Sequence, residues 1–156
     1  MPIKAINNDI QRTLTPGENI MPRAKTQQLI ENFYKYFNRS EIDKVSQLIS
    51  NDIAYEINHN GIISGKDAFI AYVTNSKLKH YDERVDNYIL MISEDGHHAA
   101  TKLIVKGKYI ATDASSIPAK GQNYILTALN YFEIENDKIV KASCWYDDND
   151  WIRQVS

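Results

Sequence analysis

Between residues 23 and 37 the apolar side chains Leu29, Ile30, Phe33, Tyr34 and Phe37 fall at helical intervals, which predicts an amphipathic helix with one buried stripe. Asn38-Arg39-Ser40 breaks the pattern. Ser40 followed by Asp43 reads as a helix N-cap with an acidic partner three residues on. Ile42, Val45, Leu48 and Ile49 then predict a second helix ending at Asn51-Asp52. Over 53–59 the period changes to two: Tyr55, Ile57 and His59 share one face of a strand, and Glu56 and Asn58 share the other. Asn60-Gly61 is a hairpin signal. Ser64-Gly65-Lys66-Asp67 opens a third helix carrying Phe69, Ile70, Tyr72 and Val73.

The rest of the chain reads as strands. The segments 85–93 and 98–110 are joined by a turn at Glu94-Asp95-Gly96, and 122–134 and 138–147 by Glu135-Asn136-Asp137-Lys138. The loop 111–120 separates the two hairpins, with Asp113 and Lys120 bracketing it. Helices first and consecutive hairpin-linked strands afterwards predict an α+β fold, with a curved antiparallel (mixed) β-sheet packed on three N-terminal helices. Two long strands this late in the chain can complete the wall of a cone, and the open end of such a sheet is a favoured ligand pocket. Asp147, with Asp150 three residues on, reads as the N-cap of a short terminal helix whose Trp151 packs over the sheet.

Length and composition add limits. A chain of 156 residues with 43% hydrophobic and 24% charged side chains suits one globular domain over 23–156. Residues 1–22, with Pro16, Gly17 and Pro22, read as an arm, either loosely ordered or packed on a partner subunit. A net charge of −2 without a basic cluster argues against nucleic acid or an anionic membrane surface as partner. No apolar run is long enough to cross a bilayer. A signal-peptide core is absent, and the single cysteine fits a reducing cytoplasm. Four scattered histidines give no metal-ligand pattern, and no cofactor is expected.

The candidate chemistry sits on the strands. His59, beside the hairpin, reads either as a general acid/base or as a solvent-exposed turn residue. Asn130 shares a face with Tyr124 and Phe132; a buried amide there needs a partner, which a substrate carbonyl, Tyr146 or a water would supply. Tyr146, Cys144 and Asp148 alternate along the last strand. Cys144 reads as a small core residue and Asp148 as solvent-facing or pocket-lining. Glu56 reads as a surface carboxylate and Lys102 as solvated on the outer face. Ile125, Leu129 and Tyr131, opposite Asn130, form an outward apolar stripe that predicts a homodimer interface.

The motifs Tyr55-Glu56-Ile57-Asn58-His59-Asn60-Gly61, Gly65-Lys66-Asp67-Ala68-Phe69, Gly107-Lys108-Tyr109, Ile117-Pro118-Ala119-Lys120-Gly121-Gln122 and the 147–154 tail together resemble the SnoaL-like polyketide cyclases and ketosteroid-isomerase-related proteins. The likeness runs over about residues 24–155. It implies the cone-shaped roll of the nuclear-transport-factor-2-like (cystatin-like) superfamily, commonly a homodimer. It also implies a choice of chemistries, because the fold hosts isomerases, cyclases and non-catalytic binders. Steroid isomerases of the superfamily use a first-helix tyrosine, a first-strand carboxylate base and a protonated carboxyl on a later strand. By position these fall on Phe33, Ile57 and near Asn130, none preserved in kind, so steroid-type isomerisation is not expected. The resulting expectation is cofactor-independent proton transfer on a hydrophobic carbonyl compound. His59 would move the proton, Asn130 and Tyr146 would polarise an oxygen, and Phe33, Tyr55, Ile57, Tyr124, Phe132, Cys144 and Asp148 would form the pocket. The alternative is a non-catalytic or dimeric ligand-binding module of the same fold.

Overall fold

The structure is a computed structural model that describes residues 21–156. The expected arm therefore lies outside the described residues, apart from its last two positions. Met21 is buried, its N–H donates to the Asp95 carbonyl at 3.2 Å, and its own carbonyl runs tight against Gly96. A Cβ at Gly96, whose φ is +73°, would lie 2.0 Å from the Met21 oxygen, so the β-turn and the chain entry can meet only at glycine.

Helix α1 (Arg23–Asn38) buries Leu29, Ile30, Phe33 and Tyr34, the expected stripe. Helix α2 (Ile42–Leu48) follows. Ser40 does not cap it: its φ is +54°, its N–H donates to Phe37, and it belongs to the left-handed turn that closes α1. The cap position is Glu41, without a side-chain cap bond. Strand β1 (Ile49–Ile57) starts earlier than the pattern indicates, because Ile49 and Ile53 are both buried across a register shift. Strand β2 (Ile62–Ser64) returns beside it across the Asn60-Gly61 turn. Helix α3 (Lys66–Tyr72) widens into a π-helical turn, Val73–Lys77, and finishes in a last helical turn, Leu78–His80.

Strands β3 (Tyr81–Ile92), β4 (His98–Tyr109), β5 (Asn123–Glu135) and β6 (Lys138–Tyr146) complete the sheet. Its order is β2-β1-β6-β5-β4-β3. Neighbours are antiparallel except β1 and β6, which pair in parallel. Register shifts at Val85/Asn87 and Glu133/Ile134 mark bulges, which bend strands and strengthen twist. The curved face packs on α1 through Phe33–Phe132 and Tyr34–Tyr88 ring contacts at 5.7 and 4.8 Å. Asn38 closes part of the β3 edge: its amide donates to the Val85 carbonyl at 2.9 Å and accepts from the Val85 N–H at 2.8 Å. The chain ends in α4 (Asp148–Val155), capped by Asp147, whose carboxylate accepts from the Asn149 N–H at 2.9 Å. Trp151 on α4 is buried among Tyr81, Tyr109 and Tyr124. The fold is α+β with a mixed curved sheet, as the sequence predicts, and the short terminal helix after Asp147 is found where the sequence places it. No helix among the described residues is long and apolar enough to cross a membrane.

Candidate functional site

The concave face of the sheet, α1, α3 and α4 enclose a cavity of about 380 Å³. Its inner end is aromatic and buried: Phe33, Phe69 and Phe132 are at most 8% exposed. Its open end is lined by half-buried or exposed residues, Asp113 and Ser115 of the 110–122 loop and Asp148 and Ile152 of α4. Polar groups interrupt the apolar wall at three places.

One lies on α1 and β5. The Asn130 amide nitrogen donates to the Tyr34 hydroxyl at 2.9 Å, and that hydroxyl lies 2.6 Å from the Thr101 hydroxyl. Thr101 and Asn130 face each other across β4 and β5, so the sheet register fixes this relay. The Asn130 carbonyl oxygen is buried without a protein partner. Such a group carries a desolvation cost of about 1–3 kcal/mol until something donates to it. Burial pushes the Tyr34 phenol well above its ordinary pKa, despite its hydrogen bonds to Thr101 and Asn130.

The second is an ion pair. Lys77 Nζ lies 2.6 Å from Glu83 Oε2, with side-chain exposures of 24% and 15%. Glu83 Oε1 accepts from the Tyr124 hydroxyl at 2.7 Å. Burial alone would neutralise both members. For Lys77 the Glu83 charge and hydrogen bond and the nearby Tyr72 outweigh it, holding the pKa above the ordinary range. For Glu83 burial is outweighed by the Lys77 charge and the two hydrogen bonds, and the pKa is lowered. Both are therefore charged at neutral pH. The register explains the geometry: Glu83, Gly107 and Tyr124 are consecutive partners across β3, β4 and β5. Tyr124 lies over the bare Gly107, where a Cβ would come within 2.2 Å of its ring, and so reaches Glu83.

The third is at the open end. The Asp113 carboxylate accepts from the hydroxyls of Tyr81, Tyr109 and Ser115 and from the Ser115 N–H. Burial raises its pKa, but these donors prevail and hold it below the usual carboxylate range. Burial first, and then the nearby Asp148 carboxylate, push the Tyr146 phenol well above its ordinary pKa. Cys144, opposite Asn130 in the register, has its thiol pushed up to about 11 by burial, with Lys77 opposing and Glu83 adding.

Of the residues expected from sequence, Asn130, Tyr146, Phe33, Tyr55, Ile57, Phe132, Cys144 and Asp148 all line the cavity. Tyr124 is behind the wall and acts through Glu83. His59 is elsewhere. Strand β1 ends at Ile57, Asn58 and His59 take positive φ of 47° and 59°, and the alternation that would aim His59 inward stops. Its side chain is 75% exposed, with Nδ1 2.8 Å from Glu56 and Nε2 accepting from the Trp145 indole at 3.2 Å. Glu56 is on that outer side too, and Lys102 is exposed. Asp113 lines the cavity and Lys120 does not. The hydroxyl that reaches Asn130 comes from Tyr34, one residue beyond the expected Phe33, which packs on Phe132. Lys77 and Glu83 escaped sequence reading. Glu83 shares parity with Tyr81 and Val85, a signal a longer strand assignment would have used. Among the described residues no group of three or more His, Cys, Asp or Glu side chains could hold a metal.

Comparison with known proteins agrees on the family. No curated protein matches the chain. The family model of the SnoaL-like polyketide cyclases matches residues 26–155. A candidate polyketide cyclase from Pseudomonas putida KT2440 is 32% identical over 84% of this chain and 98% of its own, with a TM-score of 0.81. Another, from Xanthomonas campestris pv. campestris, is 25% identical over 86% and 98%, with a TM-score of 0.82. A nuclear-transport-factor-2-like protein from Burkholderia pseudomallei K96243 shares the fold at 16% identity over 85% and 98%, with a TM-score of 0.72. With its sheet, cavity and matched span, the chain belongs to the SnoaL-like polyketide cyclase family.

Proposed function

We propose that the protein is a cofactor-independent acid–base enzyme, an isomerase or cyclase, acting on a hydrophobic carbonyl compound bound in the cavity. The observation that carries this reading is the Lys77–Glu83–Tyr124 group, a charged pair set into an apolar wall. Buried charges with a specific partner in a cleft mark functional sites. Lys77 has three N–H donors, and Glu83 takes one of them. A carbonyl oxygen that draws Lys77 toward itself weakens the interaction that depresses Glu83, so the carboxylate gains basicity as the substrate docks. Glu83 then removes a proton from the carbon beside the carbonyl. The C–H electron pair moves onto oxygen, and the enolate is stabilised by the Lys77 ammonium. Return of the proton at another carbon isomerises the compound; attack of the enolate carbon on a second carbonyl closes a ring, and the alkoxide formed takes the proton back from Glu83. Asn130 and Tyr146 orient the substrate, and the unpartnered Asn130 oxygen suits a hydroxyl donor on it. Neither Phe33 nor Ile57 can carry a proton, so a steroid-type isomerisation has no base at its usual place.

Those two hydrocarbon positions favour the second reading, a binder without chemistry. Incubation of the protein with 2-decalone in deuterated buffer, followed by proton NMR, separates the two. The enzyme reading expects exchange at the α-carbons at least about 10²-fold above buffer, the gain typical of one positioned base. It also expects loss of exchange in Glu83→Gln and retention in His59→Ala. Ligand line-broadening without exchange would leave only the binder.

A further inference from the structure

The charges facing the cavity are unequally matched. Among the described residues, Glu83, Asp113 and Asp148 line it against a single ammonium, Lys77. That ammonium is already engaged 2.6 Å from Glu83 and brings no unpaired positive charge to a ligand. The other two carboxylates stand at the open end, on different elements: Asp113 in the 110–122 loop and Asp148 at the start of α4. Asp113 is fixed by four hydrogen bonds from Tyr81, Tyr109 and Ser115, so it cannot swing away from an approaching ligand. The remaining ionisable groups are phenols and one thiol, all shifted upward by burial and neutral at pH 7. An anion entering here passes two carboxylates and, among the described residues, meets as cation Lys77, already paired with Glu83.

Resting on the reading of this cavity as the ligand site, we infer that it admits neutral ligands and rejects carboxylates of the same ring system, with Asp113 and Asp148 as the specificity-determining residues. Discrimination of this kind is built by placing repulsion against the wrong ligand. It differs from simple desolvation of the anion, because it depends on two named side chains and on ionic strength.

The test compares 2-acetonaphthone with 2-naphthoate, which share one ring system and differ in charge at pH 7.5. Equilibrium dialysis with ultraviolet detection gives both affinities. The ketone is expected to bind at least about tenfold more tightly, the scale of one like charge at close range in a partly screened site. In Asp148→Asn, and more in Asp113→Asn/Asp148→Asn, the ratio is expected to fall at least about threefold, and 0.5 M sodium chloride is expected to narrow it in the unmodified protein, since salt screens like charges. Asp148 is exposed and outside the loop's hydrogen-bond cluster, so its variant tests the idea even where Asp113→Asn loosens the loop. Equal affinities, a ratio unmoved by both variants, or failure of the ketone to be retained overturns the inference. Loss of proton exchange with the ratio intact would sink the catalytic reading and leave this one standing.

Discussion

Substituting Gly107 by alanine is a sharp test of how the Lys77–Glu83–Tyr124 group is built. The new Cβ would lie 2.2 Å from Tyr124 Cζ, 2.4 Å from Cε2 and 2.5 Å from the hydroxyl oxygen. Contacts that short force something to move, and the ring has little room: Tyr124 is 2% exposed and sits edge-on to Trp151 at 6.3 Å. Displacing it breaks the 2.7 Å bond to Glu83. Overpacking a filled site costs about 1–3 kcal/mol, and a hydrogen bond to a charged group contributes about 1.5–3 kcal/mol. Replacing a strand glycine by alanine returns about 0.5–1 kcal/mol of backbone entropy. Because one ring movement causes both losses, the expected net destabilisation is about 2–4 kcal/mol. Urea unfolding of the wild type, Gly107→Ala, Tyr124→Val and the double variant measures it as a cycle. Valine lacks every ring atom in the clash, so Gly107→Ala should be neutral or stabilising in that background, with a coupling above about 1 kcal/mol. An equal cost in both backgrounds, or a single-variant cost below about 0.5 kcal/mol, would refute the packing account.

Other outcomes follow from the same geometry. Lys77→Met leaves Glu83 buried without its counter-ion and should cost about 3–5 kcal/mol at neutral pH. The wild-type Glu83 pKa is lowered from 4.5, so its contribution is present above that pH and lost as pH falls through the depressed value. In the variant burial is opposed only by the Tyr124 hydrogen bond, the pKa rises, and stability is regained on acidification. The two urea midpoints should therefore converge below pH 4.5; parallel profiles would show that the pair is not coupled. Cys144, with its thiol near 11, should resist Ellman's reagent at pH 8 in the native protein and react on unfolding; rapid native labelling would contradict its burial. Ile125 and Leu129 are 55% and 51% exposed on the outer sheet face, which leads us to expect a homodimer there, split by Leu129→Glu; a monomer at micromolar concentration by sedimentation would remove that expectation.

The sheet and most of the cavity wall were legible because period-two alternation holds wherever a strand runs straight. On β5 it put Asn130 and Phe132 inward and Ile125 and Leu129 outward, as found. It failed where backbone conformation changes without a hydropathy signal. His59 follows Ile57 by two residues, but the left-handed Asn58 and His59 lie between strand and turn, and parity carries no information through them. Glu83 failed for the opposite reason. Its strand begins at Tyr81, yet Asp82, Glu83 and Arg84 make the entry look like a polar loop.

Lys77 shows a deeper limit. It ends a π-helical turn, and the extra residue per turn rotates it relative to an α-helical continuation of α3. Helical periodicity carried through 73–77 would assign its direction wrongly, whatever the residue types. Its orientation is settled by what lies opposite: Glu83, itself held by a tyrosine that reaches it only over Gly107. Each of these residues is ordinary on its own in the sequence. A lysine after a helix, an acid in a polar run, a glycine and a tyrosine on separate strands become one charged group only through the register of three strands. The chemistry of this site is therefore a long-range property. A single change at Gly107, which carries no functional group, should disturb it as surely as a change at Tyr124.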